Sequence, residues 1–336
     1  MLLPLALTMG EPAGIGGDIA LAAWSRRAEG VPPFFLLDDP KRMAALASRL
    51  GLNVPLQAIE AVEEAAGAFP RALPILPVPL PFPCQPGAVD SRNGRAVLDA
   101  IRLGVRLVKA GRASGLVTNP IHKASLYAAG LAHPGHTEFL AELDGGGVSP
   151  VMMLACGQLR VVPVTIHEPL RRVAELLDAP SIVHAGKLLA QSLVLDFGIA
   201  QPRLAVAGLN PHAGEGGAMG DEEERIIAPA IASLKAAGID VQGPLSADTM
   251  FHAEARASYD GALCMYHDQA LIPIKTIDFA HGVNATLGLS FVRTSPDHGT
   301  ALALAGSGRA DPSSLIAALR MAALMAGHRR AQPSRA

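Results

Sequence analysis

Short apolar runs alternate along the chain with polar or glycine-rich turns and with stretches whose apolar residues recur at helical spacing. Pro4 to Thr8 reads as a buried strand, Met9 to Gly17 as the turn after it, and Asp18 as the N-cap of a helix over Ile19 to Trp24. Phe34 to Leu37 predicts a second strand, and Pro40 to Leu50 a helix closed by Gly51. The proline-dense stretch from Pro70 to Pro86 leaves room for an edge strand over Ile75 to Val78. Val97, Ile101, Val105 and Val108 mark one face of a helix between Ser91 and Arg112. Gly115 to Thr118 is then a strand, Ile121 to Leu126 a helix, Pro134-Gly135 a turn, and His136-Thr137-Glu138 the start of another helix. Val151 to Ala155 and Leu159 to Thr165 flank Cys156-Gly157-Gln158 as a β-hairpin. A helix over Ala179 to Phe197, a strand over Arg203 to Leu209 and a helix opening at Asp221 to Glu224 follow, the acidic residues matching the helix dipole. The last helix runs from Ser313 to Ala326, with a frayed tail from Arg329. Repeated strand–loop–helix units with strands apolar on both faces predict an α/β fold with a largely parallel sheet covered by helices.

A chain of 336 residues, half of them apolar, holds one large or two coupled domains. The formal net charge of −2 gives no electrostatic reason to expect nucleic acid or an anionic membrane surface as a partner. Cys84, Cys156 and Cys264 form no CxxC pair, which suits a reducing compartment without disulfides. The opening MLLPLALTMG lacks a basic leader and is too short for a membrane span, so a cytoplasmic location is expected.

Ligands of such sheets gather beyond the carboxyl ends of the strands. Three histidines stand there: His167 after VVPVTI, His212 after LAVAGLNP, and His267 after ALCMY. Three imidazoles so placed can hold a divalent metal with positions open for substrate, the alternative being a structural role for each. His122, His133, His184, His252 and His328 read as ordinary surface or core residues. Lys275, Asn284 and Arg293 follow His267 and offer two cations and an amide to an anion. The turn GEPAGIGG at 10–17 is not a P-loop, since no Gly-Lys-Ser/Thr follows, nor is it GxGxxG, since residue 19 is Ile.

The blocks PGHTEF (134–139), LNPHAGEGG (209–217), GPLSADTMF (243–251), MYHDQ (265–269), GVNATLGL (282–289) and RTSPDHGTA (293–301) together resemble 4-hydroxythreonine-4-phosphate dehydrogenases of pyridoxine biosynthesis. The resemblance runs from GEPAGIG to the final helix. It implies NAD- or NADP-dependent oxidation of 4-phosphooxy-threonine at its 3-hydroxyl, followed by loss of CO2 to give 3-amino-2-oxopropyl phosphate. It implies a fold like isocitrate and isopropylmalate dehydrogenases, with two α/β/α domains and the active site in the cleft between them. On that pattern a discontinuous cofactor-side domain spans 1–130 plus 290–336, and a metal, substrate and dimerisation domain spans 131–289.

Carried over residue by residue, the family's metal ligands fall on His167, His212 and His267, for one divalent ion (zinc, cobalt or magnesium) per subunit. Its substrate contacts fall on His136, Thr137, Lys275, Asn284 and Arg293. The segment DHGTALALAGSGRADP resembles the adenosine-binding loop of isopropylmalate dehydrogenases, which points to His298, Gly299, Thr300, Gly306 and Asp311 as cofactor contacts. Lys275 and Asp248 are the candidates for proton handling. The family also implies a homodimer with shared active sites. Two positions depart from its pattern: Gly17, where proline is frequent, and His281, where a basic residue is common. The alternatives are a paralogous dehydrogenase of a 4-phospho-D-threonate or D-erythronate type sugar acid and, from another class, a phosphate acyltransferase of related architecture.

Overall fold

The computed structural model describes residues 2–133, 135–147 and 149–331; Pro134 of the expected turn lies outside them. The chain divides into two compact units, one formed by the residues up to Pro150 with Leu289–Gly327, the other by Val151–Gly288 with the chain from His328. Residues 131–150, placed by sequence with the second domain, group with the first. The cause is apolar: Phe139 and Leu140 of the helix His136–Asp144 enter the core built by Val97, Ile101 and Val105.

The first unit begins with β1 (Leu5–Thr8), β2 (Phe34–Asp38), β3 (Leu56–Ala58), β4 (Leu73–Pro77) and β5 (Leu116–Thr118). The second holds β6 (Val151–Cys156), β7 (Leu159–Pro163), β8 (Arg203–Ala207), β9 (Asp240–Leu245), β10 (Gly261–Cys264) and β11 (Val283–Leu287), and the chain then returns to the first for β12 (Arg293–Pro296). In the first unit the order is β3-β4-β2-β1-β5-β12, all parallel. The strand seen in the proline-dense stretch is therefore internal rather than an edge. The edge is β3, whose three residues, Leu56 half-buried and Gln57 and Ala58 exposed, carry too little apolar pattern to be read in advance.

In the second unit the order is β11-β6-β7-β10-β8-β9. β7, β10, β8 and β9 run parallel, whereas β6 is antiparallel to both β7 and β11. The sheet is mixed because the hairpin at Cys156–Leu159 reverses the chain, as its turn residues predict.

Two helix ends differ from expectation. The helix Gly16–Ser25 starts before Asp18, so Asp18 lies inside its first turn and caps nothing. The last helix continues to Ala331 instead of stopping at Ala326. Arg329 holds that extension by pairing with buried Asp196 at 2.5 Å. Residues 332–336 of the expected tail lie outside the described residues.

Candidate active site

In the first unit's sheet β5 and β12 are parallel neighbours with Arg293, the first residue of β12, opposite Leu116, and the Arg293 side chain reaches Thr118 at the carboxyl end of β5. Arg293 Nη2 donates to Thr118 Oγ1 at 2.7 Å and lies 3.5 Å from Nδ1 of His136, at the start of the helix His136–Asp144. Burial pushes the Arg293 guanidinium down to about 10, which still leaves it charged at neutral pH. Burial and the Arg293 charge together hold the His136 imidazole well below its usual range. His136 is thus neutral, and because a guanidinium only donates, Nδ1 must be the accepting nitrogen. The proton then sits on Nε2, which is buried with no hydrogen-bond partner among the described residues. A buried donor beside a buried cation is a preformed seat for an anionic group. Thr137 follows His136 in the first helical turn.

In the second unit, β7, β10 and β8 are adjacent and parallel, so His167, His267 and His212 follow three neighbouring strands. Beyond β7 the chain stays alongside β10's continuation: Val164 N and Thr165 N donate to the carbonyls of Cys264 and Met265. This brings the His167 and His267 rings to 5.7 Å between centroids. Two imidazoles sharing one ion would stand about 5 Å apart, given metal–nitrogen bonds of about 2.1 Å. His267 Nδ1 is engaged by Asp268 Oδ1 at 2.7 Å, which orients the ring and leaves Nε2 for a ligand.

His212 is not drawn into that pair. It sits in a left-handed turn with φ 52°, followed by Ala213 at 51°. Among the described residues no three His, Cys, Asp or Glu side chains stand close enough to hold a metal. The donor chemistry of His167 and His267 suits a divalent cation, and His212 stands in the turn that follows the neighbouring strand β8.

The turn carrying His212 is anchored by a residue the sequence did not single out. Glu223 Oε1 accepts from Leu209 N and Asn210 N, both at 2.7 Å, and Oε2 from Asn210 Nδ2 at 2.9 Å. Burial would raise this carboxyl, but the bonds from Asn210 and Leu209 outweigh it and hold it below its usual range. Within the acidic stretch at 221–224, Glu223 therefore does more than match the helix dipole: it is 3% exposed.

The remaining candidates of this unit are placed as follows. Lys275 lies near the end of the helix His267–Ile277, its ammonium 5.3 Å from the Phe279 ring centre. Asn284 is on β11, opposite Leu154 of β6. Asp248 Oδ1 accepts from Ser246 Oγ at 2.6 Å. His281, one of the two departures, has its Nδ1 2.8 Å from Asp278 Oδ1.

The loop from His298 to Asp311 interlocks with the glycine-rich turn after β1. Ile15 N donates to Thr300 O at 3.0 Å, and Gly306 N donates to Asp18 Oδ1 at 2.8 Å. That second bond is the role Asp18 has instead of capping, and burial raises its carboxyl. Gly306 is required at its position: φ is 66°, and a Cβ would stand 2.7 Å from Arg49 Nε and 2.8 Å from Pro86. His298 Nδ1 faces Gly299 O at 3.0 Å, so that nitrogen carries the proton. Nε2 is buried without a hydrogen-bond partner among the described residues. Asp311 Oδ1 accepts from Ser313 N and Oγ, fixing the start of the last helix.

Comparison with known proteins places these features in context. Residues 31–322 match the family described as pyridoxal phosphate biosynthetic protein PdxA. The 4-hydroxythreonine-4-phosphate dehydrogenase of Methylorubrum extorquens is 56% identical over 326 residues, covering 95% of this chain and 93% of its own. That of Bradyrhizobium diazoefficiens is 54% identical over 335 residues, covering 96% and 97%. The crystal structure of the Klebsiella pneumoniae 4-hydroxythreonine-4-phosphate dehydrogenase superposes with a TM-score of 0.87 at 35% identity, covering 96% of this chain and 99% of its own.

Proposed function

The chain belongs to the family of the pyridoxal phosphate biosynthetic protein PdxA, and from that membership we infer how its residues divide the work of the reaction. It is an oxidoreductase acting on 4-hydroxythreonine 4-phosphate in pyridoxal phosphate biosynthesis, and it uses a nicotinamide cofactor. The observation that carries the division of roles is the His136–Arg293 pair, a neutral buried donor beside a buried cation.

Arg293, steadied by Thr118 Oγ1, and His136 through Nε2–H hold one anionic end of the substrate, with Thr137 beside them. Lys275 and Asn284 are further substrate contacts. His167 and His267, joined by His212, would hold one divalent cation; zinc, cobalt and magnesium all suit a site of imidazoles with open positions. Such an ion, when bound, lowers the pKa of a coordinated hydroxyl and stabilises the negative charge that decarboxylation leaves behind. Asp268 keeps the His267 ring turned toward it. An Asp248 carboxylate oxygen, or Lys275 Nζ once it has given up its own proton, would take the proton of the 3-hydroxyl, and a bound nicotinamide would supply the hydride acceptor for C3. The β-keto acid so formed loses CO2 to give 3-amino-2-oxopropyl phosphate. His298, Gly299, Thr300, Gly306 and Asp311 hold the cofactor, a reading supported by His298 Nε2, which is buried without a hydrogen-bond partner among the described residues.

The protein works in the cytoplasm as a homodimer. Among the described residues no helix is long and apolar enough to cross a membrane. Leu170, Ile272 and Phe279 of the second unit are exposed at 69%, 64% and 77%, apolar area that a partner subunit can cover. Isotope transfer tests the redox step: substrate deuterated at C3 should yield deuterated NADH or NADPH. Product formed with no label in the nicotinamide would overturn direct hydride transfer.

A further inference from the structure

A cleft of about 780 Å³ opens in the first unit between the helix Pro40–Arg49 and the proline-rich segment 80–86. Its size and its largely apolar walls, among them Leu46, Leu80, Phe82 and Pro83, are those of a small-molecule site. The loop read above as cofactor-binding and the glycine-rich turn it interlocks with both border it. Pro12 of the glycine-rich turn forms part of its wall. Pro86 and Arg49 press on Gly306, and Arg49 Nε donates to Gly306 O at 3.1 Å.

The charges of the cleft decide what it accepts. Arg42 is committed internally: Nε and Nη2 bind Asp38, and Nη1 binds Pro12 O. Gly17 admits that arrangement, since a Cβ there would stand 2.6 Å from Leu46 and 3.1 Å from Arg42. Asp39 is committed too: Oδ1 accepts from Lys41 N at 2.7 Å and Arg42 N at 3.2 Å, and Oδ2 from Leu80 N at 2.9 Å. The carboxylate that could receive a ribose diol is thus occupied. Lys41 and the terminal nitrogens of Arg49 have no hydrogen-bond or ion-pair partner among the described residues, and both side chains are exposed at the rim. A pair of cations over apolar walls suits a nucleoside bearing an extra phosphate, whose dianion Arg and Lys bind well.

We propose that this cleft receives the adenosine end of the dinucleotide and that Lys41 and Arg49 bind a 2′-phosphate, making NADP the preferred cofactor. The proposal rests on the reading of residues 298–311 as the cofactor loop. In the NAD case a free carboxylate should meet the ribose hydroxyls, whereas a positive group accommodates the phosphate.

The test compares the metal-supplemented parent with Lys41→Ala, Arg49→Ala and Arg49→Lys. The ratio of kcat/KM for NADP to that for NAD is measured, together with calorimetric binding of adenosine 2′,5′-bisphosphate and 5′-AMP. The parent should favour NADP and the bisphosphate. Each alanine substitution should lower both preferences at least about tenfold, as loss of a charge-assisted hydrogen bond does, and Arg49→Lys should restore part of the loss. Preference for NAD in the parent, or ratios unmoved by the substitutions, would overturn the proposal while leaving the dehydrogenase reading intact. Failure to bind either nucleotide, with the fold preserved by circular dichroism, would overturn both.

Discussion

His136 Nδ1 lies 3.5 Å from Arg293 Nη2, though 157 residues separate them in the chain. Burial, and after it the charge of the neighbouring guanidinium, keeps the imidazole neutral, while burial lowers the guanidinium without discharging it at neutral pH. The pair sets a buried N–H beside a buried cation, a setting that suits an anionic group.

Arg293→Ala should weaken binding of the phosphorylated substrate by about 2–5 kcal/mol, the range for truncating one partner of a buried charge pair. Arg293→Lys should recover part of this while losing the two-pronged geometry. Calorimetry with substrate and with the nicotinamide nucleotide separates the roles. An equal loss for both ligands would mean that Arg293 belongs to the cofactor.

Two buried groups should tilt stability with pH in opposite directions. An unfolded imidazole takes up a proton near pH ~6.5 whereas folded His136 resists it, so stability falls as pH drops below that value. Glu11, 3% exposed, is raised chiefly by burial, against the hydrogen bond from Ala13 N and the nearby His122, Ser125 and Arg42. Its unfolded counterpart ionises near pH ~4.3, so this group costs stability as pH rises from there through its folded value. Thermal melts between pH about 5 and about 8 should show His136→Gln with a shallower acid loss than the parent. Glu11→Gln should gain on the parent as pH rises, and parallel curves for all three would contradict these environments.

Glu223→Ala removes the acceptor for two backbone N–H groups and the Asn210 amide. Chemical denaturation should report a loss of about 2–4 kcal/mol from the stranded donors. Because the same bonds hold the turn bearing His212, affinity for a divalent ion should fall about 10–100-fold, read by metal titration. Unchanged metal affinity would separate His212 from the metal site.

Much of this was readable from residue pattern. Strand–loop–helix units, the hairpin at Cys156–Leu159 and histidines following apolar runs are all local signals. What was not legible depends on chain segments returning from far away. Glu223 looks like a solvated acid until its backbone partners at 209 and 210 are seen. Asp18 looks like a cap until Gly306 arrives, 288 positions later, to take its carboxylate. β3 is too short to carry a period, and the last helix outlasts its expected end because Asp196, on another helix end, holds Arg329.

A shared active site in a homodimer predicts complementation. Mixing His136→Ala with His267→Ala under subunit exchange should restore activity well above either parent, since one site of each heterodimer regains both side chains. No recovery, with exchange verified by mass, would place both residues in the site of a single protomer.

The central claim is tested most directly by following NADH or NADPH formation with 4-hydroxythreonine 4-phosphate, 4-phospho-D-threonate and 4-phospho-D-erythronate at matched concentrations. The account predicts that 4-hydroxythreonine 4-phosphate is turned over with the highest kcat/KM and with release of CO2. Faster turnover of either sugar-acid phosphate, or no reduction of the nicotinamide by any of the three in the presence of a divalent metal, would contradict it.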